Sequence, residues 1–101
     1  MIYVSLPKLR RWLSAKNPRQ YVATDGRNPI EVMFEEEYPR TSVVGIDSSV
    51  LCYEGYERGG RFKRLPLSPP VARFVSMVES LEQERISAGR ALQLAQQAQK
   101  Q

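Results

Sequence analysis

Four cations on one short stretch, Arg58, Arg61, Lys63 and Arg64, are the residues whose type and spacing most directly suggest chemistry in this chain. They flank Gly59-Gly60 and lie close to Tyr53, Tyr56 and Phe62. Two glycines between apolar runs predict a hairpin, with strands over 50–56 and 61–65. With a two-residue loop, Arg58 falls opposite Arg61 and Tyr56 opposite Lys63. Like charges directly opposite destabilise a strand pair. The arrangement makes more sense if an anion visits, either phosphate or carboxylates on a partner. A glycine tip flanked by arginines can also enter a nucleic-acid groove, and the aromatic rings can stack on bases. The plain alternative is a solvated hairpin end with its aromatics in the core. A second cationic group, Arg10 and Arg11 in Lys8-Leu9-Arg10-Arg11-Trp12, is a further candidate for phosphate contact, against a solvated helix face with Trp12 buried.

Bond-making chemistry finds little to work with. Histidine is absent, which removes the commonest general base at neutral pH and the commonest transition-metal ligand. With Cys52 the only cysteine, no internal disulfide forms and a structural zinc site has no ligand set. Cys52 lies in the apolar run Val50-Leu51-Cys52-Tyr53 and reads as a small buried hydrophobe. The serines lack an activating base. Glu35-Glu36-Glu37 are sequential acids, which a strand points to alternate faces rather than pairing for acid–base work. Asp25 and Asp47 sit in turn sequences, where aspartate bonds its own backbone. No catalytic residue, metal or cofactor is expected.

The charge is laid out in blocks. Residues 1–30, 31–57, 58–73 and 74–101 carry +5, −6, +5 and zero, within a chain of net charge +4. Separate blocks on a small surface make separate fields, and fields select charged partners. The acidic block serves either as a solvated edge that discourages strand pairing or as a lure for a basic partner.

The elements that must position these groups fit in one small core, since 101 residues bury a limited fraction of their surface. Residues 1–6 read as a strand. A helix follows from Pro7 to about Ala15, capped by Ser5, with Leu6, Leu9, Trp12 and Leu13 inward and Lys8, Arg10 and Arg11 toward water. Asp25-Gly26 signals a turn. Ile30, Val32 and Phe34 alternate with Glu31, Met33 and Glu35, so 20–24 and 30–35 are read as a hairpin. A strand over 42–46 and a turn at Asp47-Ser48-Ser49 precede the basic hairpin. Ser68 then caps one long helix from Pro69 to the end, about 45 Å long at 1.5 Å per residue. The sequence leaves the isomers of the bonds before Pro66, Pro69 and Pro70 open, with trans favoured and a cis bond re-aiming the long helix as the alternative. The alanines at 88, 91, 95 and 98 leave a stripe where another helix, including a second copy, can pack closely.

These readings add up to an α+β fold: a small antiparallel sheet of four or five strands, a short N-terminal helix and a long C-terminal helix. Residues 1–85 form the domain, and 86–101 project from it or fray. The expected role is a non-enzymatic interaction protein. It docks on a larger partner, with nucleic-acid-processing machinery favoured, and direct DNA or RNA binding is the alternative. No apolar run is long enough to span a bilayer, no signal peptide is evident, and a cytoplasmic location is expected.

Overall fold

A computed structural model describes residues 2–55 and 62–100. Among these residues the architecture is α+β, with four helices and two small antiparallel sheets.

Residues 2–5 form no strand, contrary to the sequence reading. They lead into α1, Leu6–Ser14, whose N-cap Ser5 accepts a hydrogen bond from Lys8 N. Leu6, Leu9 and Leu13 recur at helical spacing and are buried. Pro18-Arg19-Gln20 then enters β1, Tyr21–Ala23. Asp25 and Gly26 adopt left-handed φ of 56° and 74°, so the turn at this site is real. It does not close a hairpin. It leads into a helix, α2, Pro29–Glu37. Asn28 caps it by accepting from Ile30 N, and Glu31 reaches back to accept from Asn28 N. This capping box, with proline at the first helical position, outweighs the apolar alternation. Ile30, Met33 and Phe34 are the buried face, at helical rather than strand spacing.

The second sheet is a meander of β2, Thr41–Ile46, β3, Val50–Gly55, and β4, Phe62–Pro66. Asp47 builds the β2–β3 turn by accepting from Ser49 N, Ser49 Oγ and Val50 N. A register shift between Val43 and Gly45 leaves Val44 as an extra, exposed residue. Leu51 and Tyr53 point to the core, where the Phe34 ring lies 5.0 Å from Tyr53 and 4.9 Å from Tyr38.

The long helix expected after Ser68 is two helices. The first, α3, Pro69–Ser80, buries Val71, Phe74 and Val75. The chain then breaks at Glu82, which takes a left-handed φ of 52°. It forms β5, Ile86–Ser87, antiparallel to β1, and starts again as α4, Ala88–Lys100. The molecule extends 38 × 26 × 25 Å, too short for a 45 Å rod. Residues 88–100 do not project. They pack on α1 and α3 with Ala88, Ala91, Leu94, Ala95 and Ala98 buried. The alanine stripe read as a helix-docking surface is therefore covered by the chain's own helices. The break also resets the helical phase, which is why Leu94, off the stripe of a continuous helix, reaches the core. All peptide bonds among the described residues are trans.

Candidate interaction surface

Most of the acidic block is consumed inside the fold. Lys8 Nζ lies 2.6 Å from Glu37 and also donates to Tyr3 O and Tyr38 Oη. The same ammonium sits 3.9 Å over the Tyr3 ring, a cation–π contact. Burial by itself would lower the Lys8 pKa, but the hydrogen bonds it donates to Glu37 and Tyr38 outweigh it and the value is raised. Lys8, read as facing water, is thus a hub tying residues 2–5 and α1 to the end of α2.

Lys16 lies 3.6 Å from Glu36 and 4.9 Å over the Trp12 ring, while Trp12 Nε1 donates to Glu36. Arg27 donates to Glu35 at 2.6 Å and lies 3.4 Å from Glu31. The hydrogen bond from Arg27 to Glu35 is the largest influence on the guanidinium and raises its pKa. Glu35 also accepts from Val43 N at 2.8 Å, so one carboxylate joins α2 to the outer side of β2. Three bases of the first block therefore neutralise acids of the second. Where they meet, along α1 and α2, the two blocks form an ion-paired seam rather than opposed surfaces.

The basic strand is arranged differently. β3 and β4 pair as Leu51–Leu65, Cys52–Arg64, Tyr53–Lys63 and Glu54–Phe62. Lys63 thus faces Tyr53 rather than Tyr56, a correction to the expected register. Arg58, Arg61, Gly59-Gly60 and Tyr56 lie outside the described residues. Antiparallel pairs alternate between those that exchange backbone bonds and those that do not. Leu67 N donates to Ser49 O at 2.9 Å, which places Leu51–Leu65 and Tyr53–Lys63 among the bonded pairs. Pro66, with no N–H to give, sits opposite Val50 at a non-bonded position, as proline does on edge strands. The N–H groups of Phe62 and Arg64 consequently point away from β3, toward the open edge. Among the described residues no other element bonds the backbone of Phe62–Pro66. Lys63 and Arg64 are exposed, Phe62 is 68% exposed, and no ion pair among the described residues involves either cation.

Arg10 and Arg11 do not join this strand. They ride on α1, which packs on α4 and α2, whereas β4 packs on β3. Arg10 is half-buried and donates to Gln99 of α4, and Arg11 is exposed in the last turn of α1. Cys52 is only half-buried, on the sheet face away from Leu51 and Tyr53.

Comparison with protein-family models, curated proteins and solved structures returned no match. Function therefore rests on the geometry.

Two depressions were not foreseen. One, of about 580 Å³, runs between the start of α2 and the end of α3 and is lined by Asn28, Glu31, Glu79, Glu82 and Glu84 among others. Asn28 is 4% exposed, and its Nδ2 has no hydrogen-bond partner among the described residues. The other, of about 470 Å³, gathers Tyr21, Arg85, Ser87 and Arg90. Tyr21 stands more than sixty positions from the other three and meets them only because β5 pairs with β1, so no local pattern signals the site. Among the described residues, no three His, Cys, Asp or Glu side chains gather as metal ligands do, and no helix is long and apolar enough to cross a membrane.

Proposed function

We propose that this chain is a non-enzymatic interaction protein that docks on a larger partner through the open edge of β4 and modulates it. One observation carries the reading: a strand edge with outward N–H groups bears Lys63 and Arg64, while Glu31, Glu35, Glu36 and Glu37 of α2 are occupied by Lys8, Lys16 and Arg27. An extended segment of the partner adds as a further strand, with main-chain bonds supplying affinity and side chains supplying selection. Exposed cations on the edge discourage indiscriminate pairing and favour an acidic segment. The overall charge of +4 directs the choice of partner toward nucleic-acid-processing machinery. Direct binding of DNA or RNA by Arg10, Arg11, Arg58, Arg61, Lys63 and Arg64 is the second reading. The exposure of Phe62 beside Arg64 favours it, and the engagement of Arg10 by Gln99 weakens it.

The test is titration of the full chain with a capped valine–glutamate octapeptide, using its valine–lysine counterpart as control. The acidic peptide binds and the basic one does not. Lys63→Glu with Arg64→Glu abolishes binding. Arg64→Pro, which removes an outward N–H without touching the ladder to β3, does the same while thermal unfolding stays close to wild type. Equal binding of both peptides, or undiminished binding by these variants, refutes the reading.

A further inference from the structure

The depression at the β1–β5 junction has a composition the β4 edge lacks. Tyr21 is 51% exposed on a three-residue strand. The Arg85 guanidinium carbon lies 4.7 Å from its ring centroid, so the side chain is held against the ring. Arg90 is exposed in the first turn of α4, with its N–H donating to Ser87 Oγ, and Gln83 and Ser87 complete the lining. Arg19 is brought to the same end of the molecule by its neighbours. The carbonyls of Pro18 and Gln20 accept from Gly89 N and Ala88 N at 2.9 and 2.8 Å. These bonds occupy the first N–H groups of α4, so the anion-attracting elements of the site are side chains, not the helix terminus. None of Arg19, Arg85 or Arg90 belongs to an ion pair among the described residues. Glu84 also lines the depression, one acid set against these three cations.

We infer that Tyr21, Arg85, Arg90 and Arg19 form a binding site for single-stranded nucleic acid. An exposed aromatic ring accepts an unstacked base of any identity, and arginines beside it take the flanking phosphates. The stacked Arg85 contributes both its charge and its planar face. Gln83 and Ser87 offer hydrogen bonds to a base edge. A duplex keeps its bases stacked and cannot use Tyr21, so selectivity for single strands follows. The site belongs to a different sheet from β4 and stands whether or not the edge strand docks a protein.

The test is fluorescence anisotropy of a labelled twelve-residue oligo-dT with the full chain, from low to moderate salt, beside a duplex of the same length. The single strand binds and the duplex binds more weakly. Two to three phosphate contacts give a log–log salt slope of about −1.4 to −2.1, at about −0.7 per phosphate. Tyr21→Ala weakens binding roughly tenfold, and Tyr21→Phe, which keeps the ring, restores it. Arg85→Gln and Arg90→Gln each flatten the slope by about 0.7. Photo-crosslinking with 5-bromodeoxyuridine in the oligonucleotide places the adduct on Tyr21. Lys63→Glu with Arg64→Glu leaves the Tyr21 crosslink in place, which separates this site from the β4 edge. No binding at about 100 μM in low salt, the upper end of ordinary non-specific affinities, overturns the inference. So does binding that is unchanged in Tyr21→Ala, or lost only when Lys63 and Arg64 are reversed.

Discussion

Replacing Glu35 is the sharpest probe of the ion-paired seam. Its carboxylate accepts from Arg27 Nη2 at 2.6 Å and from Val43 N at 2.8 Å. A hydrogen bond to a charged group contributes roughly 1.5–3 kcal/mol. The Arg27 pair contributes at the level of partly exposed pairs, about 0.2–1 kcal/mol, since the Arg27 and Glu35 side chains are 39% and 27% exposed. Val43 is half-buried, so water partly replaces the lost acceptor, and the first contribution belongs at the lower end. Glu35→Ala should therefore cost about 1.7–2.5 kcal/mol. Glu35→Gln keeps a neutral acceptor for Val43 N and should cost about half as much. Urea unfolding at constant m-value reads the difference as a shift in midpoint. Combining Arg27→Ala with Glu35→Gln in a double-mutant cycle should return a coupling of roughly 0.5–1 kcal/mol. Glu79→Ala, on the exposed end of α3, is the control. If Glu35→Ala costs no more than this control, the acidic block is solvated rather than structural, and the argument that it is spent inside the fold collapses.

Three further outcomes follow from individual contacts. Asn28→Ala removes the cap of α2 and should lower stability by about 1–2 kcal/mol in the same urea assay; a neutral result would mean the capping box does not hold the helix. Gly89→Ala should destabilise by about 1 kcal/mol, although alanine is the better helix former by about that amount. The new Cβ would stand 3.1 Å from Pro18 O, disturbing the bonds that join β1 to α4. A rise in melting temperature would contradict this. Hydrogen bonds from Ser49 N and Oγ, then Val50 N, hold the Asp47 carboxyl below its ordinary value of 3.8. A depressed folded-state pKa contributes stability above the unfolded value that is lost as pH falls through the folded one. Wild type should accordingly lose more stability than Asp47→Asn below about pH 4. Parallel acid-unfolding curves would show that the turn carboxylate adds nothing.

The sequence was most readable where local chemistry and tertiary context agree. Ser5 and Pro7 announce α1, Asp47-Ser48-Ser49 announces the β2–β3 turn, and Val71, Phe74 and Val75 mark the buried face of α3. It misled where two periodicities overlap. Ile30 and Phe34 are four apart and satisfy a helix as well as a strand, so Asn28-Pro29-Ile30-Glu31 was the deciding signal and it lay in the cap, not in the hydrophobic pattern. The division of the last helix was out of reach. No proline or glycine marks residues 81–85, and the interruption is stabilised by β5 pairing with a strand sixty residues earlier. Glycine weakens a helix interior, yet at Gly89 the missing side chain is what lets Pro18 approach. The candidate site was legible as composition only. That Lys63 and Arg64 are cations is plain from the chain. That they stand on an open edge, and that Lys8, Lys16 and Arg27 are occupied, depends on contacts between distant residues.

Amide hydrogen exchange at Phe62 and Arg64, with and without the valine–glutamate peptide, tests the docking edge most directly. If β4 receives a partner strand, both amides exchange in the free protein and slow by roughly two- to tenfold at saturation, the cost of opening one added backbone hydrogen bond. Unchanged exchange at these two positions, with protection appearing on another face, would contradict the account.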